Sequence, residues 1–223
     1  MNKCANDIMV WRVALETPPE ALSEDETILS EDERRRAARF RFPRDRRRFI
    51  TCHAALRRIL SRYLGLPPGE IRFTANPYGK PALEGGGLHF NLSHAHELAL
   101  IAVAEQEVGV DVEYLDPERE QIARSCCTPG ELAAIVSLPA GALAYWTCKE
   151  AYLKGLGTGF AIPPEQIQLD PPPMPTARTG VTGDSAWSIY PFVPALGYRA
   201  AVAARGEDWQ VDCRDWPVTP SNG

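Results

Sequence analysis

Apolar positions along the chain follow helical spacing in some segments and strand spacing in others. Residues 45–64 show the clearest helical spacing, with apolar side chains at Phe49, Cys52, Leu56, Ile59, Leu60 and Tyr63. Gly65 and the two prolines that follow predict the end of this helix. Residues 98–104 are almost continuously apolar and predict a buried strand.

The same criteria predict the remaining elements, which are mostly short. The other predicted helices are residues 30–39, 118–124, 129–136 and 143–156. The other predicted strands are residues 10–15, 71–73, 88–92, 108–113, 167–169, 187–190 and 198–204. Glycines and prolines predict a turn at 76–79, a flexible loop at 85–87 and a proline-rich crossover at 170–175.

One order of elements occurs twice in the chain. The helix 45–64 leads through a short strand to two longer strands, and the helix 143–156 does the same about 95–100 residues later. We interpret this as an α+β fold of two similar halves with a ligand cleft between them; one continuous domain is the alternative. The predicted boundaries are 1–105 for the first half, 106–210 for the second, and 211–223 for a loose tail.

Composition narrows the class of protein. A share of 44% hydrophobic and 24% charged residues is typical of a globular chain and excludes a disordered one. No segment approaches the ~20 apolar residues of a membrane helix, and early charges interrupt the region where a signal peptide is apolar. The six cysteines show no metal-binding spacing and predict reduced thiols. We therefore predict a cytoplasmic protein without a membrane partner.

The charge is unevenly distributed. The net charge is −5, yet residues 34–62 hold twelve arginines and a single acid, Asp45, which is a local balance of +11. Such a block in an acidic protein predicts an anionic partner at one place, either a nucleic acid or a small polyphosphate. A solvated helix face is the alternative. Ser30 and the acids after it predict the start of a helix that leads into this block.

Two segments carry carboxylates in patterns that suit phosphate chemistry. Asp111 and Glu113 lie on one face of the predicted strand 108–113, where they repel each other unless a cation lies between them. Mg²⁺ takes one or two carboxylates together with substrate phosphate. Glu150 lies one helical turn before Lys154, so it could complete a metal shell beside a phosphate-binding lysine. The alternatives are an edge strand with acids facing water and an ordinary surface ion pair.

Three further features accompany these carboxylates. His94 follows Ser93 at the end of a predicted strand, where an imidazole can meet an anion. Lys80 lies on a rigid turn, for which simple turn chemistry is the alternative. Trp146 shares a helical stripe with Leu153 and predicts a core anchor.

Together, four segments resemble the Sfp-like class of 4′-phosphopantetheinyl transferases. They are Tyr78-Gly79-Lys80-Pro81, Phe90-Asn91-Leu92-Ser93-His94, Val108-Gly109-Val110-Asp111-Val112-Glu113 and Trp146-x-x-Lys149-Glu150-Ala151-x-x-Lys154. The segments occur in the order and spacing of the family, and the resemblance spans residues 28–205. The combination is more specific than any one segment.

The resemblance implies a fold and an activity. The fold is a pseudo-twofold pair of α+β halves, each a small, mostly antiparallel sheet packed with a long helix, with the active site in the cleft between them. The activity is Mg²⁺-dependent transfer of the 4′-phosphopantetheine arm of coenzyme A to a serine of an acyl or peptidyl carrier protein, with release of 3′,5′-ADP. The partners are then coenzyme A and the carrier protein, without nucleic acid. Because two halves can form the cleft within one chain, we predict a monomer.

The resemblance also assigns roles to residues. It implies the metal ligands Asp111, Glu113 and Glu150. It implies contacts to coenzyme A phosphates from Arg36, Arg48, Lys80, Ser93, His94 and Lys154, with Arg34 or Arg35 as alternatives to Arg36. Of these residues, Asp111, Glu150, Lys154 and His94 would take part in catalysis, with Glu150 as the candidate base.

The chain departs from the family pattern at two places. Glu131 lies twenty residues after Asp111, as a further acid of the family does, but Cys126-Cys127 precede it where the family often has two aromatic residues. His96 stands where a small residue is common. These differences leave the roles of Glu131 and His96 open.

Two other functions use some of the same residues. A metal-dependent nuclease or phosphodiesterase also combines paired acids, a lysine and an arginine block, although it has no need of the Lys80 turn or of Ser93-His94. A non-catalytic coenzyme A-binding module is the third interpretation.

Overall fold

The computed structural model describes residues 7–16, 18–135, 140–170 and 178–217, which form six α-helices and eleven strands. The helices are α1 (Pro19–Ile28), α2 (Glu31–Ala37), α3 (Pro43–Leu64), α4 (Pro117–Arg124), α5 (Pro129–Ala134) and α6 (Gly141–Leu156). The strands are β1 (Asp7–Ala14), β2 (Phe73–Ala75), β3 (Pro81–Leu83), β4 (His89–Ala95), β5 (Leu98–Ala104), β6 (Val108–Tyr114), β7 (Leu169–Asp170), β8 (Thr179–Val181), β9 (Asp184–Phe192), β10 (Tyr198–Arg205) and β11 (Gln210–Asp215).

The two main sheets have the same internal topology. The first has the strand order β11-β1-β5-β4, and the second has the order β6-β10-β9-β8-β7. In each sheet a first strand pairs antiparallel with the last strand of a hairpin, as β1 does with β5 and β6 does with β10. Along the sequence of each half, the long helix, α3 or α6, follows the first strand and precedes that hairpin. The prediction of an α+β fold with two similar halves is confirmed.

Helix α3 forms because its ends and its buried face both favour it. Pro43 occupies the first turn, where a proline is tolerated, and Gly65 ends the helix at a φ of +68°, which favours glycine. Phe49 and Ile50 pack on one side, while Cys52, Leu56, Ile59 and Leu60 pack in the core beneath the first sheet. No helix among the described residues is long and apolar enough to cross a membrane.

Helix α6 lies directly on strand β6. A Cβ atom added to Gly109 of β6 would lie 2.0 Å from the carbonyl oxygen of Ala151 and 2.3 Å from the backbone nitrogen of Gly155. Only a glycine permits this approach, because real Cβ atoms do not come so close to backbone atoms. The contact brings the acids of β6 next to those of α6.

The halves meet where β4 lies beside β6. The side chain of Asn91 accepts a hydrogen bond of 2.8 Å from the backbone N–H of Val110, so a β4 residue pairs with the backbone of the other sheet. Ser93, two residues further on, donates a hydrogen bond of 2.9 Å to Asp111. The ends of the two strands therefore open into one cleft between the halves.

Four elements of the structure, α1, β3, β8 and β11, were not predicted from the sequence. Helix α1 was not predicted, because its ten residues carry few apolar side chains. Strand β11 corrects the loose tail predicted from residue 211: it pairs in parallel with β1, and Trp216 after it is buried against Trp11. The tail residues 218–223, most of the proline-rich crossover (171–175) and Val136 lie outside the described residues.

We predict that Trp216→Ala destabilises the protein by about 3 kcal/mol, because burial of a large aromatic ring is lost. Trp216 is 9% exposed, its backbone N–H donates to the Arg12 carbonyl at 2.7 Å, and the guanidinium carbon of Arg62 lies 4.1 Å from the centre of its ring. Urea unfolding measures the change. Leu196→Ala is the control, since Leu196 is 98% exposed. Equal stability of the two variants would show that the C-terminal strand is not held in place.

Candidate active site

A cavity of about 650 Å³ lies in the cleft between the halves. It is lined by α3, by the ends of β4 and β6, by α4 and by α6. It brings together seven of the residues predicted from the sequence: Arg48, Ser93, His94, Asp111, Glu113, Glu150 and Lys154. A second cavity of about 570 Å³ shares Ser93, His94 and Lys154 with the first and adds Arg36.

Asp111 is the centre of the cluster. It is only 3% exposed, and its Oδ1 accepts hydrogen bonds from Ser93 Oγ at 2.9 Å and from Lys154 Nζ at 2.5 Å. Lys154 Nζ also donates to Ser93 Oγ at 3.0 Å, so the three side chains form a closed triangle. The other oxygen, Oδ2, is buried and has no hydrogen-bond partner. A buried carboxylate oxygen without a partner is costly and suits a site that a cation completes.

Glu113 lies two residues further along β6 and enters the same cavity. Its Oε1 accepts a hydrogen bond of 3.3 Å from the indole N–H of Trp146 and lies 3.8 Å from Arg119. Burial, reinforced by the nearby charge of Asp111, raises the pKa of Glu113. The indole therefore holds the carboxyl group in one orientation.

Glu150 faces these acids from α6. Burial and then the charge of Asp111 raise the pKa of Glu150 from 4.5 to about 7. Its Oε1 is buried and has no hydrogen-bond partner. A carboxyl group with a pKa near 7 can either accept a proton at neutral pH or ionise when a cation approaches.

The three carboxyl groups line one cavity but do not form a complete metal site. No group of three or more His, Cys, Asp or Glu side chains within the described ranges is arranged to hold a metal ion. The cation that touches Asp111 is the ammonium group of Lys154. The unpartnered oxygens of Asp111 and Glu150 nevertheless fit a divalent cation. The raised pKa values of Glu113 and Glu150 also fit one, because burial and then the charge of Asp111 disfavour their ionised forms, and a cation would favour these forms.

His94 lies between the two cavities and lines both of them. Burial, and next the positive charge of Lys154, lowers the pKa of His94 below its usual value of 6.5. The side chain is nevertheless exposed in the cleft, where a ring nitrogen can donate a hydrogen bond to a bound anion.

Half of the twelve arginines in the basic block form ion pairs with acids. Helices α1 and α2 supply several of these acids, and the ion pairs are Arg35 with Glu31 and Asp32, Arg46 with Glu26, Arg57 with Glu33, and Arg58 with Asp25. Arg48 pairs with Glu16 at 2.9 Å while it lines the larger cavity. Acids therefore neutralise the block only in part, and most of these acids precede it in the sequence.

Arg34, Arg35 and Arg36 are alternative predicted phosphate contacts, and of these three Arg36 lies on a cavity wall. It is exposed, lies 5.4 Å from the ring of Phe49, and lines the smaller cavity. Arg34 instead donates to the Leu29 carbonyl at 2.7 Å, and Arg35 pairs with acids of its own helix. Among the three alternatives, Arg36 is thus the one next to the cleft.

Lys80 does not line either of these cavities. Its Nζ donates to the carbonyl oxygens of Val108 at 3.1 Å and Gly155 at 2.6 Å. Burial lowers the pKa of Lys80 to about 8. Of the other expected phosphate contacts, Lys80 shares a cavity with Lys154, a third one of about 250 Å³.

Glu131 holds the C-terminal half together and is remote from the cavity. It caps α5 through the N–H of Thr128 at 2.8 Å, and it accepts a hydrogen bond of 2.6 Å from Lys149, which has no solvent exposure. Its other oxygen accepts the N–H of Leu169 at 3.2 Å. Lys149 also donates to the Cys126 carbonyl at 2.8 Å. The buried ion pair with Glu131 therefore gives Lys149 of α6 a structural role.

His96 lines the outer part of the larger cavity. It has a φ of +50°, lies half-exposed at the tip of the β4–β5 hairpin, and stacks on Tyr114 with ring centroids 4.7 Å apart. His96 of one half therefore contacts an aromatic residue of the other at the entrance.

Two residues of the site were not identified from the sequence. Trp146 packs against the core that contains Leu153, as predicted, and it also lines the cavity. Its position four residues before Glu150, on the same helix face, is a signal that could have placed it in the site. Asn91 joins the two sheets through a bond to Val110 that no local pattern indicates.

Comparisons with known proteins give a consistent result. A family model described as the 4′-phosphopantetheinyl transferase superfamily matches residues 107–204, and one described as 4′-phosphopantetheinyl transferase, N-terminal, matches residues 17–106. The 4′-phosphopantetheinyl transferase HetI of Nostoc sp. is 40% identical over 218 residues, which are 92% of this chain and 91% of the relative. The 4′-phosphopantetheinyl transferase Sfp of Bacillus subtilis is 27% identical over 149 residues, which are 64% of this chain and 66% of the relative. A phosphopantetheinyl transferase of Thraustochytrium sp. is 32% identical over 169 residues, or 65% of this chain and 59% of the relative.

We predict that Glu131→Gln destabilises the protein by about 3–5 kcal/mol, because it leaves the buried ammonium group of Lys149 without its carboxylate. The double variant Glu131→Gln/Lys149→Met should recover part of this loss. Urea unfolding of the two variants and the wild type measures the difference. A Glu131→Gln variant of full stability would contradict the structural role.

The raised pKa of Glu150 predicts how stability depends on pH. The folded chain holds this proton more tightly than the unfolded chain, so the contribution of Glu150 to stability is lost as the pH rises from 4.5 through about 7. We expect Glu150→Gln to be increasingly more stable than the wild type over this range in buffer with a chelator. Unfolding in urea at several pH values measures it, with the exposed Glu84→Gln as control. A constant difference between Glu150→Gln and wild type would refute the shift.

Proposed function

The chain belongs to the 4′-phosphopantetheinyl transferase superfamily, and we propose that its interdomain cleft transfers the 4′-phosphopantetheine arm of coenzyme A to a serine of a carrier protein, releasing 3′,5′-ADP. One observation supports this most directly. Asp111, Glu113, Glu150 and Lys154 converge in one cavity, where a carboxylate oxygen of Asp111 and one of Glu150 are buried without a partner. Residues 1–105 would supply phosphate contacts, and residues 106–210 the acids.

We propose Mg²⁺ as the cofactor of the cluster. Asp111, Glu113 and Glu150 would hold it, since hard carboxylate oxygens suit this ion and the unpartnered oxygens await a cation. When bound, it supplies polarisation of the phosphate under attack and compensates charge on the leaving group. This assignment explains why the chain keeps three acids so close together in a partly buried site.

The cations and hydrogen-bond donors around the cluster suit the phosphates of coenzyme A. Lys154 and Ser93 border both cavities, and His94 adds a hydrogen-bond donor between them. Arg48 and Arg36 extend the positive wall along α3 and α2. Preformed donors of this kind stabilise charge that develops on phosphate oxygens.

Glu150 is our candidate for the base. The serine oxygen of the carrier forms a bond to the phosphorus, the bond from that phosphorus to 3′,5′-ADP breaks, and the serine proton passes to the carboxylate. The pKa of Glu150 is about 7 without a cation, and a bound cation would lower it, so that Glu150 would be ionised and able to accept the proton at neutral pH. Phosphoryl transfer depends mainly on positioning and electrostatics, so the base need not contribute the largest share.

We further propose that the protein is a cytoplasmic monomer that binds no nucleic acid. The cytoplasmic location and the monomeric state rest on the sequence, as does the absence of a nucleic-acid partner. Among the cysteines that the structure describes, Cys52, Cys126, Cys127, Cys148 and Cys213 are free thiols. A light-scattering mass in solution would decide the oligomeric state.

The function is tested by incubating the purified protein with coenzyme A, Mg²⁺ and an apo carrier protein. We expect the intact mass of the carrier to rise by one phosphopantetheine, and a chelator to abolish the reaction until Mg²⁺ is restored in excess. Asp111→Asn should lower the rate by roughly 10²–10³, which is about 2–4 kcal/mol of barrier. The exposed Glu84→Gln serves as the control and should retain the wild-type rate.

The alternative functions give different outcomes in the same assay. Tight binding of coenzyme A without any mass change on a panel of carriers would indicate a binding module. Release of nucleotides from a DNA or RNA substrate, again without carrier modification, would indicate a nuclease. Either result would overturn the proposal.

A further inference from the structure

One turn of the N-terminal half reaches across the cleft and binds the backbone of the C-terminal half. Lys80 follows the turn at residues 76–79, and its Nζ donates to two carbonyl oxygens, that of Val108 at 3.1 Å and that of Gly155 at 2.6 Å. The acceptors lie 28 and 75 residues after Lys80 in the sequence, so this side chain joins parts of the fold that are distant along the chain.

The two carbonyl groups belong to the elements that carry the cavity's acids. Val108 begins β6 three residues before Asp111, and Gly155 lies in the last turn of α6, directly after Lys154. The same stretch holds the close contact between β6 and α6 at Gly109. A single ammonium group therefore touches the strand and the helix where they cross.

Asn76 forms a second link beside the first. Its Oδ1 accepts the backbone N–H groups of Tyr78 and Lys80, both at 2.9 Å, which fixes the turn. Its Nδ2 donates to the Gly157 carbonyl at 2.7 Å. The rigid turn consequently contributes two side chains to the end of α6.

Gly157 shows how closely these parts approach each other. A Cβ atom at this position would lie 2.7 Å from Cδ of Lys80 and 2.9 Å from Nδ2 of Asn76. Gly157 also has a φ of +68°, as does Gly65 at the end of α3, where a Cβ atom would meet nothing within 4 Å. Both glycines have a backbone conformation that disfavours other residues, but Gly157 alone of the two also lacks room for a side chain, because Lys80 and Asn76 fill the space.

We propose that Asn76 and Lys80 form an interdomain clasp on Val108, Gly155 and Gly157, and that Lys80 is a positioning residue that acts through β6 and α6. The clasp holds the two elements against the N-terminal half, so that Ser93 of β4 meets Lys154 and Asp111. The inference deepens the proposed function, since the groups positioned are those of its active site.

The energetics favour a positional role over a stabilising one. Burying an ammonium group costs free energy even when carbonyl groups accept its hydrogen bonds, and an apolar side chain avoids that cost. Burial lowers the pKa of Lys80 to about 8, which reflects the same cost. A lysine here is accordingly better explained by the exact placement of its acceptors than by a gain in stability.

The clasp differs from the phosphate contact that the family resemblance implies for Lys80. Two of the three ammonium N–H groups have acceptors on the backbone, and Lys80 borders a cavity of about 250 Å³ that Glu150 and Lys154 also line. A phosphate contact would act on the affinity for coenzyme A, whereas a clasp acts on the alignment of the reacting groups.

Lys80→Met tests this difference, because it removes the ammonium group and keeps the unbranched stem. We expect kcat to fall by about tenfold or more while the KM for coenzyme A stays within about twofold. The preference for coenzyme A over 3′-dephospho-coenzyme A should not change. A large rise in KM with kcat retained, or a changed preference, would overturn the proposal in favour of a phosphate contact.

Gly157→Ala approaches the clasp from the other half without altering Lys80. It should lower kcat as Lys80→Met does, and the double variant should be little worse than the more damaged single variant. Gly65→Ala is the matched control, since it places the same backbone strain at a helix end that has no clasp. Additive effects of Lys80→Met and Gly157→Ala, or an equal loss of kcat in Gly65→Ala, would contradict the clasp.

Hydrogen exchange gives a readout that does not depend on catalysis. Faster amide exchange at residues 76–80 and 155–158 is expected in Lys80→Met and absent in Gly65→Ala. Asn76→Ala repeats the measurement if Lys80→Met does not fold. Unchanged exchange in the folded variant refutes the clasp, whereas altered exchange in a chain that never modifies a carrier leaves the clasp valid and refutes the proposed function.

Discussion

The contact between strand β6 and helix α6 is the constraint on which the site depends. Because Gly109 has no side chain, the helix lies directly on the strand, and a Cβ atom there would be 2.0 Å from the carbonyl oxygen of Ala151. The same contact brings Asp111 close enough to raise the pKa of Glu150. Lys154 compensates part of this negative charge from the next helical turn. The fold thus concentrates negative charge in the cleft, and this charge suits the divalent cation that we propose there.

Local patterns sufficed to predict most of the architecture. The period of apolar residues gave α3, ended at Gly65, and the continuous apolar run gave β5 at residues 98–104. The repeated order of elements indicated two halves. Strand β11 could not be predicted in this way, because its residues are polar or only partly buried and its pairing with β1 spans the whole chain. Long-range pairing leaves little trace in a short polar segment.

The candidate site was predictable in its acids and less so in its cations. The spacing of Asp111 and Glu113 and the turn between Glu150 and Lys154 are local, and all four line the cavity. The partners of positive groups are set by tertiary contacts instead. Half of the arginines in the block pair with acids, several of which lie in α1 and α2, and Lys80 binds backbone carbonyl groups that carry no sequence signal.

Strand β11 has a consequence for how the chain acquires its structure. It follows the second half in the sequence and pairs with β1 at the edge of the first sheet, so it is synthesised after all the other strands of that sheet and after the second half. On the ribosome, the N-terminal half therefore emerges long before its own sheet is whole, with an unpaired edge at β1. Splitting the chain between the halves would not yield two self-sufficient folding units, because the first fragment would need a strand encoded by the second.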